Sequence, residues 1–203
     1  MEHFADCFAF AEARSAGIDT AAIRGMIPGC TQVSRASRSQ DLKGIDYIAE
    51  LESGVKLAID AKARSAGCRK FWRRTRGGDR EPDVHLETWS VIPGSAVPDD
   101  QPEGSIGWTL DSGKRTDLVL YTFDPADCDR CYLFGFQHLR AAFVRFRAEW
   151  MLEYHSARQH SCDNGREWRS ECVFVPVTVV QRAIQSVSVG RPSVLLPAQA
   201  KAA

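Results

Sequence analysis

Apolar and polar residues alternate most clearly in two adjacent runs, residues 45–51 (IDYIAEL) and 55–63 (VKLAIDAKA). A repeat of two residues is typical of a strand that buries one face, and Ser53-Gly54 between the runs suits a tight turn. The pattern therefore predicts a β-hairpin, with Val55, Leu57, Ile59 and Ala61 on one face of its second strand and the charged residues on the other.

The rest of the chain carries further periodic segments. Strands are predicted at residues 84–90, 106–110, 116–123, 131–136 and 172–177. Helices are predicted at 3–16, at 137–152, where apolar residues recur at helical spacing, and at VTVVQRAI, residues 177–184. Strands bracketed by helices predict an α/β fold with a mixed β-sheet flanked by helices.

Three segments have the composition of irregular chain. Residues 28–44 are polar and rich in Ser and Arg, and residues 91–115 are rich in Pro, Gly and Asp, so both are predicted to be mostly loop. The chain from Gly190 onward contains two prolines and no acidic residue. We therefore predict a single domain over residues 1–189 and a disordered tail over 190–203.

Composition and charge limit the partners and the cellular location that can be expected. The chain has 203 residues, of which 44% are apolar, and its 26 Lys and Arg balance 26 Asp and Glu, so any binding of nucleic acid must come from local clustering of charge. The sequence has neither a membrane-spanning apolar stretch nor a basic leader, and its seven cysteines suit reduced thiols. A cytoplasmic protein without a membrane partner is expected.

The predicted hairpin also concentrates chemical groups. Asp60 and Lys62 share one face of the second strand, and Asp46 opens the first strand, where hairpin pairing would bring it close to Asp60. Two carboxylates that bind Mg²⁺, with a lysine that stabilises charge on a phosphate, suit hydrolysis of a phosphodiester. Glu87, on the next predicted strand, supplies a third carboxylate. Without a cation, these carboxylates are expected to repel one another.

These residues resemble the motif of the PD-(D/E)XK nuclease superfamily, in which an Asp opens one strand and an acid-x-Lys follows on the next. The resemblance implies a restriction-endonuclease-like core, with Asp46 and Asp60 as the motif acids and Lys62 as the motif lysine. It implies that the backbone carbonyl of Ala61 joins the metal site. Glu12 is the best placed residue for the further glutamate that many members carry, and Asp41 is the alternative for the first acid.

The downstream segments HLETWS, TDLVLYTF and CYLFGFQHLRAAF resemble uncharacterised nuclease-like proteins of phages and mobile elements. That resemblance, which covers about residues 1–150, implies that Glu87 joins the catalytic and metal-binding residues. Mg²⁺ is the implied cofactor, with Mn²⁺ able to substitute. DNA is favoured as the substrate and endonuclease over exonuclease activity, and a homodimer is compatible with such an enzyme.

A basic segment follows the motif lysine directly. Between Lys62 and Arg80 the chain has eight basic residues and a single acid, Asp79, with Phe71 and Trp72 in the middle. Basic side chains bind phosphates and an exposed aromatic ring stacks on a base. The predicted nucleic-acid-binding residues are Arg64, Arg69, Lys70, Arg73, Arg74 and Arg76, together with Gln137 at the start of a predicted helix.

Other functions are compatible with parts of the sequence. The charged hairpin face could be surface decoration, although the strand that carries Asp60 is otherwise apolar. The chain could also be a non-catalytic nucleic-acid-binding protein of the same fold. A zinc-organised interaction protein is the third alternative, with Cys128 and Cys131 as ligands beside His155, His160 and Cys162, but the second half lacks compact zinc-ribbon spacing and zinc is disfavoured.

Overall fold

A computed structural model describes residues 20–188 of the chain, except residues 42–43, 65, 76, 99–101 and 164. The predicted helix at 3–16, Glu12, Arg76 and the predicted tail at 190–203 lie outside the described residues. The described residues form a mixed α/β structure with two β-sheets flanked by helices. None of the helices in this part of the chain has both the length and the apolar character needed to span a membrane.

The first sheet contains the predicted hairpin. Its strands are β1 (Cys30–Arg35), β2 (Tyr47–Leu51), β3 (Lys56–Ala63), β6 (Leu118–Thr122) and β7 (Tyr132–Gly135), which lie side by side in that order. The turn between β2 and β3 uses Gly54, whose φ of 81° is a conformation that glycine adopts without strain. β3 and β6 run parallel, and the other neighbours are antiparallel. The predictions of the hairpin and of β6 and β7 are confirmed.

The second sheet is antiparallel throughout. Its strands are β5 (Ser105–Ile106), β4 (Asp83–Val91), β9 (Arg166–Pro176) and β8 (Ser156–Asp163), in that order. Strand β4 confirms the predicted strand at 84–90, but it belongs to this sheet and does not extend the hairpin sheet. The sequence patterns located the end of β9 and missed β8.

Four α-helices and one short 3₁₀ helix complete the described structure. The α-helices are α1 (Thr20–Met26), α2 (Arg38–Asp41), α3 (Phe136–Glu153) and α4 (Val177–Ser188), and the 3₁₀ helix is Cys68–Phe71. The predicted helices at 137–152 and 177–184 are confirmed. The expectation that 28–44 is a loop was wrong, because β1 and α2 lie there. β1 is mostly exposed at the sheet edge, which explains its polar composition.

The first sheet buries apolar side chains on both of its faces. On one face Ile59 and Leu120 pack with α1 and with Tyr47 of β2. On the other, Val119 and Tyr121 pack with the second sheet and with α3 and α4. Since Asp60 pairs with Val119 and Lys62 with Tyr121 in the parallel β3–β6 register, both charged residues point toward this second, interior face.

Candidate functional site

The β2–β3 pairing places Asp46 beside Asp60. Tyr47 pairs with Ile59, and Asp46 is the residue before this pair, so that its carboxyl group lies close enough to Asp60 for the two charges to interact. The Asp46 backbone N–H donates to the carbonyl oxygen of Ile59 at 2.8 Å, and Asp46 Oδ2 accepts the backbone N–H of Ala61 at 2.6 Å. The carboxylate of Asp46 is therefore fixed against the strand segment that carries Asp60 and Lys62.

Asp60 is a buried carboxylate held by two lysines. Its side chain is only 2% exposed, and Lys62 Nζ lies 2.8 Å from Oδ1 while Lys114 Nζ lies 2.8 Å from Oδ2. Burial opposes ionisation of Asp60, but the charges of Lys62 and Lys114 outweigh it and hold the pKa of this carboxyl below its ordinary value. Asp60 is thus an anion at neutral pH.

Lys62 lies at the open side of this cluster. Its side chain is 32% exposed, and its amino group lies 5.6 Å from the ring centre of Trp108, a cation–π distance. Burial works against its charge, but the carboxylates of Asp60, Asp46 and Glu87 raise the pKa of Lys62 above its ordinary value. Lys62 is therefore a cation, and its side chain is the partly exposed one of the two lysines that contact Asp60.

Lys114 belongs to this cluster, although no sequence pattern indicated it. It lies in the predicted loop at 91–115, shortly before β6, and its side chain is only 9% exposed. Gly44 leaves space for it, because a Cβ at that position would lie 2.7 Å from Lys114 Nζ. The sequence itself shows only a lysine just ahead of an apolar strand, since the parallel pairing of that strand with β3 is known from the structure.

Glu87 lies beside the cluster rather than within it. Its Oε2 accepts the Ser90 hydroxyl at 2.7 Å and the backbone N–H of Trp108 at 3.2 Å. Its charge reaches Lys62, whose pKa it helps to raise. The structure thus brings Asp46, Asp60 and Lys62 together on the first sheet. Glu87 lies on β4 of the second sheet and acts on Lys62 only through its charge.

Ionisation of Asp46 is less favourable than that of an aspartate in water. Burial, opposed by the Ala61 hydrogen bond and reinforced by the negative charge of Asp60, raises its pKa to about 6. Within the described residues, no group of three or more His, Cys, Asp or Glu side chains could hold a metal ion by itself. Two carboxylates with water and substrate oxygens are nonetheless a donor set that Mg²⁺ accepts.

The raised pKa predicts how stability depends on pH in EDTA. Between pH 4 and 6 the folded state keeps the Asp46 proton that the unfolded state, with the ordinary value of 3.8, has lost. The Asp46 contribution to the free energy of unfolding should therefore fall as pH rises through this window and stay constant above it. Urea denaturation of wild type and Asp46→Asn measures this contribution. The free energy of unfolding of the variant should rise relative to that of wild type from pH 4 to 6. A difference independent of pH would contradict the raised pKa.

The basic segment divides into buried and exposed residues. Arg64 is mostly buried: its side chain is 13% exposed, pairs with Asp83 at 3.1 Å and covers the Phe174 ring at 4.4 Å. Arg69, Lys70, Arg73 and Arg74 are exposed. Trp72 is a core residue, whereas Phe71 is 66% exposed with the Lys70 amino group 4.9 Å from its ring centre. The exposed residues form a basic surface with one accessible aromatic ring.

The remaining predicted residues are separate from the acidic cluster. Gln137 is exposed in the first turn of α3. Asp41, the alternative first acid, is exposed at the end of α2, and its carbonyl oxygen accepts the Gly44 N–H. Cys131 Sγ donates to Met26 Sδ, and Cys128 Sγ accepts the Arg130 N–H at 3.4 Å. Neither cysteine belongs to a described group that could hold a metal.

Searches of family models, curated proteins and solved structures gave no match to this chain. The site is therefore interpreted from its own chemistry.

Proposed function

We propose that the chain is a nuclease that hydrolyses phosphodiester bonds of DNA with Mg²⁺, and that Asp46, Asp60 and Lys62 form its active site. The observation that supports this most is the convergence of the three residues: Asp46 bonds to the Ala61 backbone while Asp60 contacts Lys62 at 2.8 Å. Burying charged groups costs free energy that the attraction between them often does not recover. A buried cluster of this kind is therefore more readily explained by a function than by stability. The PD-(D/E)XK resemblance supplies a functional reason for these residue types in this order.

The donor set fits a divalent cation in the presence of substrate. Asp46 and Asp60 would hold it, with the Ala61 carbonyl as the further ligand that the resemblance implies and Glu87 at greater distance. Bound Mg²⁺ would polarise the scissile phosphate and lower the pKa of a water molecule. Mn²⁺, which also accepts carboxylate and water oxygens, is expected to substitute.

The chain's own residues have distinct roles in this proposal. Asp46 and Asp60 supply negative charge at a fixed separation, because both are set by the β2–β3 register. Lys62, one-third exposed, would donate hydrogen bonds to a phosphate oxygen as charge develops on it. Lys114, which is nearly inaccessible, keeps Asp60 ionised and oriented from the opposite side. Glu87 would assist through its charge on Lys62.

The runner-up function is a nucleic-acid-binding protein without chemistry. It is favoured by one observation, that both oxygens of Asp60 already contact lysine amines and so a cation must compete with them. An assay of cleavage distinguishes the two. The protein is incubated with labelled single-stranded and double-stranded DNA and RNA, in Mg²⁺ or in EDTA. Cleavage of DNA is expected in Mg²⁺ and not in EDTA. Binding of every substrate without cleavage would support the runner-up.

The basic surface should contribute to affinity. Arg69→Ala with Lys70→Ala removes two exposed charges, so the slope of log affinity against log salt should decrease by about 1.8 for duplex DNA if each contacts one phosphate. Fluorescence anisotropy in EDTA at several salt concentrations measures it. Arg145→Ala with Arg147→Ala, exposed on α3, is the matched control and should leave the slope unchanged. An identical slope in all three proteins would place the DNA elsewhere.

A further inference from the structure

A second concave surface is formed by three segments that are far apart in the sequence. The β3–β4 connection, the turn between β6 and β7 and the first turns of α4 enclose a cleft of about 580 Å³. Its lining includes five arginines, Arg73, Arg74, Arg80, Arg130 and Arg182. We refer to it as the arginine cleft. Arg130 and Arg182 lie outside the basic segment and could not be associated with it from the sequence.

The arginine cleft has a large excess of positive charge. Glu81 is its single acidic lining residue. One oxygen of Glu81, Oε1, accepts the backbone N–H of Thr178 at 3.0 Å and also the Thr178 hydroxyl, so this carboxylate is engaged at the N-terminus of α4. Five guanidinium groups around one carboxylate repel one another, and an anion between them would relieve the repulsion.

Neutral groups hold two of the guanidinium groups in place. Arg80 donates to the carbonyl oxygens of Arg69, at 3.0 Å, and of Lys70, and Arg182 Nε donates to the carbonyl oxygen of Thr178 at 3.3 Å. These contacts fix the side chains without cancelling their charge. Arg73 does have an acidic partner, Glu153, at 3.3 Å.

Two arginines of the cleft are available for a ligand. Arg74 and Arg130 are exposed, and among the described residues neither forms an ion pair with a carboxylate. Because a guanidinium group presents a planar fork of N–H donors, it can bind a phosphate through two parallel hydrogen bonds. The charge and the donors of the cleft therefore suit an anion with several oxygens, of which the phosphate is the one that the proposed substrate carries, and do not suit an apolar ligand.

We infer that the arginine cleft binds a backbone phosphate of a nucleic-acid strand. The inference rests on the proposed nucleic-acid substrate, but it requires no chemistry at Asp60, so the two proposals can fail separately. Arg74 and Arg130 grip the phosphate from the two sides of the cleft. Arg80 and Arg182, held by the backbone, maintain the positive field behind it.

The test compares three proteins in EDTA, where cleavage does not interfere. Arg74→Ala with Arg130→Ala removes the two available guanidinium groups, and Arg145→Ala with Arg147→Ala removes the same charge from α3. Affinity for a labelled DNA oligonucleotide is measured by anisotropy. The cleft variant is expected to bind about tenfold more weakly than wild type, equivalent to ~1.4 kcal/mol, while the control keeps its affinity. Circular dichroism verifies that both variants are folded.

Competition by inorganic phosphate shows whether the cleft recognises a phosphate group or responds only to ionic strength. At equal ionic strength, phosphate should displace more DNA from wild type than chloride does. This difference should disappear in the cleft variant. Equal DNA affinity in the cleft variant and wild type would overturn the inference. If that result came with phosphate-dependent thermal stabilisation of wild type alone, the cleft would be a site for free phosphate compounds, not for nucleic acid. Asp60→Asn should still bind DNA, so loss of cleavage there leaves the cleft untouched.

Discussion

Asp60→Asn is expected to lower the free energy of unfolding by ~3–5 kcal/mol, the usual effect of removing one partner from a buried ion pair. The substitution keeps the shape of the side chain but removes the charge that neutralises Lys62 and Lys114. Lys114 is 9% exposed and cannot reach water as Lys62 can, so its amino group accounts for most of the loss. Urea denaturation at neutral pH in EDTA measures the change.

A second variant shows whether the buried charges are the cause. Asp60→Asn with Lys114→Met removes the carboxylate and its buried cation together, so the double variant should recover part of the lost stability. Unchanged stability in Asp60→Asn would mean that the carboxylate is not paired with lysines in the folded protein. A double variant less stable than the single one would show that Lys114 contributes through another contact.

Lys62→Ala is expected to slow cleavage by ~10²–10³, the usual loss when one group that stabilises transition-state charge is removed. Lys62 is suited to this role because its amino group is fixed 2.8 Å from Asp60 Oδ1 and its side chain is still 32% exposed. Single-turnover cleavage of labelled DNA in saturating Mg²⁺ measures the chemical step apart from binding. Asp60 keeps Lys114 as a partner, so the fold should survive.

Lys56→Ala is the matched control for Lys62→Ala. Lys56 lies on the same strand, is 65% exposed and pairs with Glu50 at 3.5 Å, on the part of β3 away from the acidic cluster. Its replacement should leave the cleavage rate unchanged. If both variants lost the same activity, or if Lys62→Ala lost activity only in proportion to its stability, Lys62 would have no chemical role.

The core of the candidate site was predictable because it depends on local pairing. Two alternating runs and a glycine turn determine the β2–β3 hairpin, and the period of two places Asp60 and Lys62 on one face. The alternation also predicts that Ile59 and Ala61 share the opposite face, and in the structure that face packs against α1, a helix that no pattern predicted. Asp46, one residue before β2, follows from the same register.

Other features depend on contacts between distant segments, which local patterns do not encode. β4 pairs with β5 and with β9, whose residues lie more than 80 positions later in the chain, and nothing in HLETWS indicates those partners. Lys114 reaches Asp60 because β6 pairs in parallel with β3. The expected repulsion between carboxylates remains in the raised pKa of Asp46, to which the charge of Asp60 contributes, whereas Lys62 and Lys114 lower the pKa of Asp60 itself.

Cleavage of labelled DNA in Mg²⁺ by folded Asp60→Asn protein shows whether Asp46, Asp60 and Lys62 perform phosphodiester hydrolysis. A neutral amide is a poor ligand for a hard cation, so this variant should show no Mg²⁺-dependent cleavage under conditions where wild type cleaves and EDTA stops it. Circular dichroism confirms folding, and Asp60→Asn with Lys114→Met serves if the single variant is too unstable. Cleavage at the wild-type rate by either folded variant would exclude Asp60 from the active site.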